Sequence, residues 1–334
     1  MKRFIFKLLL SGITLLVLGG IAEVVLRAQE RAQIQAMEDA DKPGGVTKSD
    51  IPGLNYVLTP GYRSGEIVFN SLGFNMPERE VTKNPAVTRV AFVGDSVTQG
   101  VGITNTAEAY PNRIDAILPD AFEVWNCGVG GYNTEQIYLQ MKHILPAFSP
   151  DAIVYGFNFN DYWDANRYFF GNAALLPEQA ESGKRAGLLD QLKKLRIVLR
   201  MRDAYAELAY RVRGYWPVYV DRKTGYPSWK RMKDIILMMR DDCAQAGRPF
   251  AVVILPNKQF LHVDPAKNKA HADIASFLAR EGIPFLDLLP ALKEHRDEPL
   301  YLKDGNHMTP AGYERVAQQV AAWMEERKDL FAAP

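Results

Sequence analysis

The stretch Val90-Ala91-Phe92-Val93-Gly94-Asp95-Ser96-Val97-Thr98-Gln99-Gly100 decides the fold. An apolar run passes without alternation into Gly-Asp-Ser, and a glycine closes the next turn. Such a run is how a strand buried on both faces of a parallel sheet reads. The strand would deliver Asp95 and Ser96 to its carboxyl edge, where open α/β sheets bind ligands. A serine at that edge is a candidate nucleophile if a base and an oxyanion site converge on it.

Outward from this stretch, strands are expected at about 88–94, 122–126, 151–156, 249–255 and 283–286. Helices are expected near 107–118, 134–146, 229–246, 266–281 and 310–327. Apolar strand runs alternating with amphipathic helices predict a parallel sheet covered on both faces. The alternation breaks at about 162–227. This insertion opens with Tyr162, Trp163, Tyr168 and Phe169. Leu188, Leu192, Leu195, Leu199, Tyr205 and Leu208 come next at helical spacing, with Lys193, Lys194, Arg196, Arg200 and Arg202 between them. A core-covering helix with a solvated basic face accounts for that pattern; a lid facing anionic lipid or an acidic polymer is the sharper alternative.

The N-terminus has a different character. Lys2, Arg3 and Lys7 precede the uncharged run Leu8 to Ala22, and Glu23 and Arg27 close it. Basic residues before an apolar segment keep the N-terminus cytoplasmic and send the rest of the chain across the membrane. The run suits a membrane anchor extending over Phe4–Leu26 if Lys7 snorkels. A cleaved signal peptide is the rival, with Gly20 and Ala22 as small residues before the cut. Either way the body would lie outside the cytoplasm. The expected organisation is therefore an anchor or signal segment at 1–28, a stalk and small flap at 29–87, and a catalytic domain at 88–330. Within the flap, extended pieces are expected at Tyr56–Leu58 and Glu66–Phe69.

Composition narrows the function. The formal net charge of +1 over 334 residues lacks the basic excess of a general nucleic-acid binder. Two cysteines, Cys127 and Cys243, make neither a disulfide framework nor a metal cluster. No cofactor and no metal are called for. The glycines at 128, 130 and 131 miss the dinucleotide fingerprint, because Asn133 stands at its last glycine. Thr98 likewise breaks the G-x-S-x-G elbow of the α/β-hydrolases.

Four stretches fall at expected strand ends or in the final loop: Gly94-Asp95-Ser96, Asn126-Cys127-Gly128-Val129-Gly130-Gly131, Asn158-Phe159-Asn160-Asp161, and Asp304-Gly305-Asn306-His307. Loops at one edge of a parallel sheet converge in space. Ser96 would attack an ester carbonyl, His307 would take its proton, and Asp304 would orient the ring. The N–H groups of Ser96 and Gly131 and the side-chain amide of Asn160 would receive the oxyanion. Asp95 and Asp161 are read as residues that pin their loops. A helix-capping role for Ser96, and His262 with Asp264 nearby as the base, are the competing readings.

In this order the four stretches resemble the signature blocks of the SGNH (GDSL-like) hydrolase superfamily, over about residues 88 to 325 outside the insertion. The third block departs from that pattern, with Asn158 where glycine is usual. Asn70-Ser71-Leu72-Gly73-Phe74 is similar to a segment of membrane-anchored bacterial members. The resemblance implies a three-layer αβα sandwich with a five-stranded parallel, flavodoxin-like sheet, and ester chemistry without a metal. The expected activity is an extracytoplasmic serine esterase acting on acyl esters of a glycan or glycolipid. The alternatives are an O-acyltransferase on an envelope polysaccharide and a non-catalytic polysaccharide-binding protein.

Overall fold

The structure is a computed structural model that describes residues 3, 7, 11, 14, 17–29, 45–161, 197, 227–264 and 268–331. By internal contacts the chain divides into two compact units, Met1–Lys42 with Pro177–Pro217 and Pro43–Leu176 with Val218–Pro334. The boundary between the units, at Lys42/Pro43, falls within the stalk and small flap expected at 29–87. The aromatic cluster Tyr162–Phe169 lies outside the described residues, as does the basic helix apart from Ile197.

In the first unit, helix α1 spans 17–29. On it Arg27 donates to Glu23 at 2.7 Å, and the Ile197 N–H donates to the same carboxylate at 3.1 Å. Val17, Leu18, Ile21, Val24 and Val25 are exposed. Among the described residues, no helix is long and apolar enough to cross a membrane.

The second unit is built on a five-stranded sheet. Before it come two short antiparallel hairpins, β1 (Val46–Lys48) with β2 (Tyr56–Leu58) and β3 (Arg63–Ser64) with β4 (Ile67–Val68). The sheet strands are β5 (Thr88–Gly94), β6 (Phe122–Gly128), β7 (Ala152–Asn158), β8 (Phe250–Leu255) and β9 (Phe285–Asp287). They pair in parallel in the order β6-β5-β7-β8-β9. This is the flavodoxin-like order, which reverses direction between β5 and β7 and opens a ligand crevice there.

After β5 come the short helix α2 (Ser96–Gln99) and α3 (Tyr110–Ile117); α4 (Thr134–His143) comes after β6. Then come α5 (Pro227–Gln245), α6 (Lys258–His262), α7 (Lys269–Arg280), α8 (Leu289–Glu294), α9 (Pro310–Glu326) and α10 (Lys328–Phe331). Helix α3 packs against α9, while α4 packs against α5. Right-handed crossovers account for this division, because reversing the strand order sends the connecting helices to the other face of the sheet. On α9, Tyr313, Val316, Ala317, Val320, Ala321 and Met324 form the buried stripe. Val90, Phe92 and Val93 in β5 are fully buried, each contributing about 1.5–3 kcal/mol of apolar burial.

Three glycines set the shape of the carboxyl edge. Gly128, Gly94 and Gly156 pair side by side across β6, β5 and β7. Helix α2 lies directly on them. A Cβ on Gly94 would stand 2.2 Å from Thr98 Oγ1, and one on Gly128 would stand 2.2 Å from the Gln99 backbone nitrogen. Strand β6 therefore runs two residues past its expected end, since these glycines continue the pairing without needing side-chain room. Helix α3 starts later than expected. Asn105 and Glu108 form a capping box around a 3-10 turn at Thr106–Glu108, and Ala109 is extended before the helix begins at Tyr110, with Pro111 in its first turn.

Gly128→Ala is expected to destabilise the protein by about 1–3 kcal/mol or more, because its obstacle is backbone that cannot swing away. Gly19→Ala, with open space around it inside α1, should not destabilise, because alanine is the better helix former. Urea denaturation of both variants checks this.

Candidate active site

Ser96 is the first residue of α2, set at the end of β5 by the Gly94-Asp95 turn. Asp95 caps this helix, accepting from the Val97 N–H at 2.9 Å. Gly100 closes the turn in a left-handed conformation, φ +95°, and its N–H donates to the Ser96 carbonyl. The capping role that competed for Ser96 thus belongs to its neighbour, and the serine hydroxyl is available for other work.

His307 Nε2 lies 2.9 Å from Ser96 Oγ, across 211 residues of sequence. On the other side of the ring, Nδ1 lies 2.7 Å from Asp304 Oδ2. With the Nδ1 proton held by Asp304, Nε2 accepts from the serine hydroxyl. Asp304 Oδ1 meanwhile accepts from the N–H groups of Asn306 and His307 at 2.8 and 2.9 Å. Burial pushes this carboxyl up, but the His307 ring and those two N–H groups outweigh it and hold Asp304 below the ordinary aspartate value. It remains ionised opposite the imidazole.

The loop carrying this pair is anchored from β8. The Lys258 N–H donates to the Gly305 carbonyl at 2.8 Å, and Asn257 Nδ2 donates to Asn306 Oδ1 at 2.7 Å. The Tyr301 hydroxyl donates to the Pro256 carbonyl at 2.6 Å. Gly305 turns the chain at φ +71°. Sequence reasoning passed over Asn257, although a polar side chain just after a buried strand is the signal for such an anchor. His262, the alternative base, is exposed at the end of α6.

The loop expected to receive the oxyanion comes after β6, and its N–H groups can be accounted for one by one. Gly128 donates to Asn126 Oδ1 at 3.1 Å, Val129 to the Gly94 carbonyl at 3.0 Å, and Gly130 to Gln99 Oε1 at 2.5 Å. Tyr132 donates to the Val129 carbonyl at 3.2 Å. Gly131 alone in this run has an N–H without a partner among the described residues, and it holds φ +80°. The loop lies against the nucleophile: a Cβ on Gly130 would be 3.6 Å from that of Ser96. The Ser96 N–H, first in its helix, also lacks a protein partner among the described residues.

Asn160 donates its side-chain amide to Asp95, beside Ser96. Its loop is pinned by Asp161, which accepts from the Tyr155 hydroxyl at 2.7 Å and the Asn158 N–H at 3.0 Å. Asn158, in place of the usual glycine, is fully buried. Its Oδ1 accepts from the Asn160 N–H at 3.3 Å and its Nδ2 reaches the Leu255 carbonyl at 3.5 Å. The departure tightens the loop and ties it to β8. Among the described residues, no cluster of His, Cys, Asp and Glu is arranged to hold a metal.

Asp95 is buried, and burial raises its carboxyl above the ordinary aspartate value despite the Val97 and Asn160 hydrogen bonds. An acid with a raised folded-state pKa favours folding below its unfolded value, about 3.9. It loses that contribution as pH rises through the folded value. Asp95→Asn keeps the helix-capping oxygen. Its stability relative to the native protein is expected to increase as pH rises above about 4, as read by urea midpoints across a pH series.

Comparison with known proteins adds to this geometry. No curated protein matches the sequence. Among solved structures, the psychrotrophic esterase EstA from Pseudoalteromonas sp. is similar at 12% identity and a TM-score of 0.43, over 72% of this chain and 99% of that one. A catalytic mutant of an acetylxylan esterase from Geobacillus stearothermophilus is similar at 14% identity and a TM-score of 0.43, over 73% and 96%. A GDSL-like lipase from Bacteroides thetaiotaomicron is similar at 16% identity and a TM-score of 0.40, over 72% and 88%. Residues 92–315, two thirds of the chain and spanning all four site loops, match the GDSL-like Lipase/Acylhydrolase family. The chain belongs to that family of hydrolases.

Proposed function

We propose that this hydrolase cleaves acyl esters through a covalent acyl-Ser96 intermediate. Ser96 Oγ attacks the ester carbonyl as its proton passes to His307 Nε2, and Asp304 stabilises the imidazolium that results. The tetrahedral oxyanion is received by the N–H groups of Ser96 and Gly131 and by the Asn160 amide. Collapse breaks the ester C–O bond, and His307 returns its proton to the leaving alcohol. Water then repeats the sequence on the acyl-enzyme and releases the acid. The observation that carries this reading is the unbroken line from Ser96 Oγ to His307 to Asp304, at 2.9 and 2.7 Å.

The substrate class we propose is an acylated carbohydrate or glycolipid, with acetyl as the acyl group. It draws on Tyr162, Trp163, Tyr168 and Phe169, which come directly after the Asn160-Asp161 loop in sequence. Aromatic faces at that point suit the stacking of sugar rings.

The same reading sets the domain outside the cytoplasm, held by the N-terminal segment. The support is the basic cluster Lys2, Arg3 and Lys7 before the apolar run, together with the exposed apolar side chains of α1. Retention in carbonate-washed membranes, lost on deletion of residues 1–28, is the expected result. Release of the full chain by carbonate would remove the anchor from the proposal.

Turnover of p-nitrophenyl acetate tests the chemistry. Ser96→Ala is expected to lose roughly 10⁴-fold or more in kcat, with its melting temperature unchanged. Asn160→Ala should lose roughly 10²–10³-fold. Undiminished turnover in Ser96→Ala would sink the assignment. Adding candidate glycans as acceptors separates hydrolysis from acyl transfer.

A further inference from the structure

The Gly131 N–H has no partner of its own among the described residues, yet its peptide unit is not loose. The carbonyl of that unit belongs to Gly130, and it accepts from the Tyr56 hydroxyl at 2.6 Å. A trans peptide is planar, with C=O and N–H pointing in opposite directions, and no described peptide bond is cis. A donor fixed on the carbonyl therefore fixes where the N–H aims. Without it, two successive glycines would leave the plane free to rotate.

Tyr56 is itself firmly held. It sits in β2 opposite Lys48 of β1 and is 3% exposed. Its backbone carbonyl accepts from the Tyr132 hydroxyl, and the two rings meet edge to face at 5.2 Å. Burial, and then the nearby Asp95 charge, push its phenol well above the ordinary tyrosine value, so the hydroxyl stays a donor at any working pH. A hydrogen bond to the carbonyl also polarises the peptide, strengthening the opposite N–H by roughly 10–30%.

We propose that Tyr56 is a positioning residue for the oxyanion site, its hydroxyl holding the Gly130–Gly131 peptide so that the Gly131 N–H faces the oxygen on which charge develops. This rests on the esterase reading above. Tyr56 stands outside residues 92–315 that match the family, so the N-terminal hairpin contributes to a site otherwise built from the matched region. Tyr56 acts through the peptide and not on the substrate. Its loss therefore affects kcat and leaves KM alone, because the oxyanion exists only near the transition state.

Tyr56→Phe deletes the hydroxyl and keeps the ring. It is expected to lower kcat about tenfold with KM held, short of the 10²–10³-fold cost of removing a donor outright. The Gly131 amide nitrogen resonance should move in the same variant. Leu58→Val thins the packing of the same strand without touching the hydroxyl, and should keep kcat near that of the native protein. An unchanged kcat in Tyr56→Phe, or an equal loss in Leu58→Val, overturns the proposal. A native protein without Ser96-dependent turnover sinks the esterase reading instead. In that case the Gly131 resonance decides whether Tyr56 holds the peptide, and an unmoved resonance overturns that too.

Discussion

Three adjacent strands carry a glycine at or near their carboxyl ends, and the close approach this permits governs the site. Gly128, Gly94 and Gly156 leave a shallow trough across the carboxyl edge of β6, β5 and β7. The Ser96 turn lies in that trough with Thr98 Oγ1 and the Gln99 nitrogen closer than any Cβ would allow. Depth is what matters here. A turn lifted by one methyl group would carry Ser96 Oγ away from a His307 ring now 2.9 Å distant. It would also pull Gln99 from Gly130. Two groups of the site, the proposed nucleophile Ser96 and the loop after β6, thus depend on the same close contact.

The two carboxylates beside Ser96 are set apart by their surroundings. Asp95 is buried, with its charge disfavoured, and caps the serine helix. Asp304 is part-exposed and held ionised by three donors on its own loop. Asp95 Oδ2 lies 3.4 Å from Ser96 Oγ, a weaker contact than the 2.9 Å to His307. The histidine is therefore the favoured destination for the serine proton. Geometry and solvation lead to the same division of labour: one carboxylate holds structure, the other holds charge.

Much of this was legible in the chain, for identifiable reasons. Four of the five sheet strands announce themselves as apolar runs, while β9 is short and half-buried, and Ser96, Gly131, Asn160, Asp304 and His307 fall just after strands or in the final loop, where a parallel sheet gathers them at one edge. Strand ends were less legible, because a glycine reads as a stop while here it continues the pairing, as at Gly128. The 3-10 turn before α3 hid inside a helical pattern, since Asn105 and Glu108 cap a turn as readily as a helix. Least legible were the anchors Gln99, Asn257 and Tyr56. They reach across 31, 49 and 74 residues to loop groups that no periodicity or spacing in the chain connects to them.

These anchors explain how the proposed oxyanion site can be built on glycine-rich loops at all. Glycine grants the approach and the φ +80° that Gly131 requires, but it also carries the largest conformational freedom to lose. A donor that must find its orientation during reaction contributes less than one already oriented, because the reorganisation falls inside the barrier. The loop after β6 meets that requirement by exhaustion. Its neighbouring N–H groups are tied to Asn126, Gly94, Gln99 and Val129, and the Gly130 carbonyl is tied to Tyr56. With its neighbours tied off, the single donor left in this run without a partner among the described residues has its direction set before any ester arrives. The flexibility that lets the loop reach Ser96 is removed by side chains drawn from α2 and the N-terminal hairpin, elements that come before it in the chain.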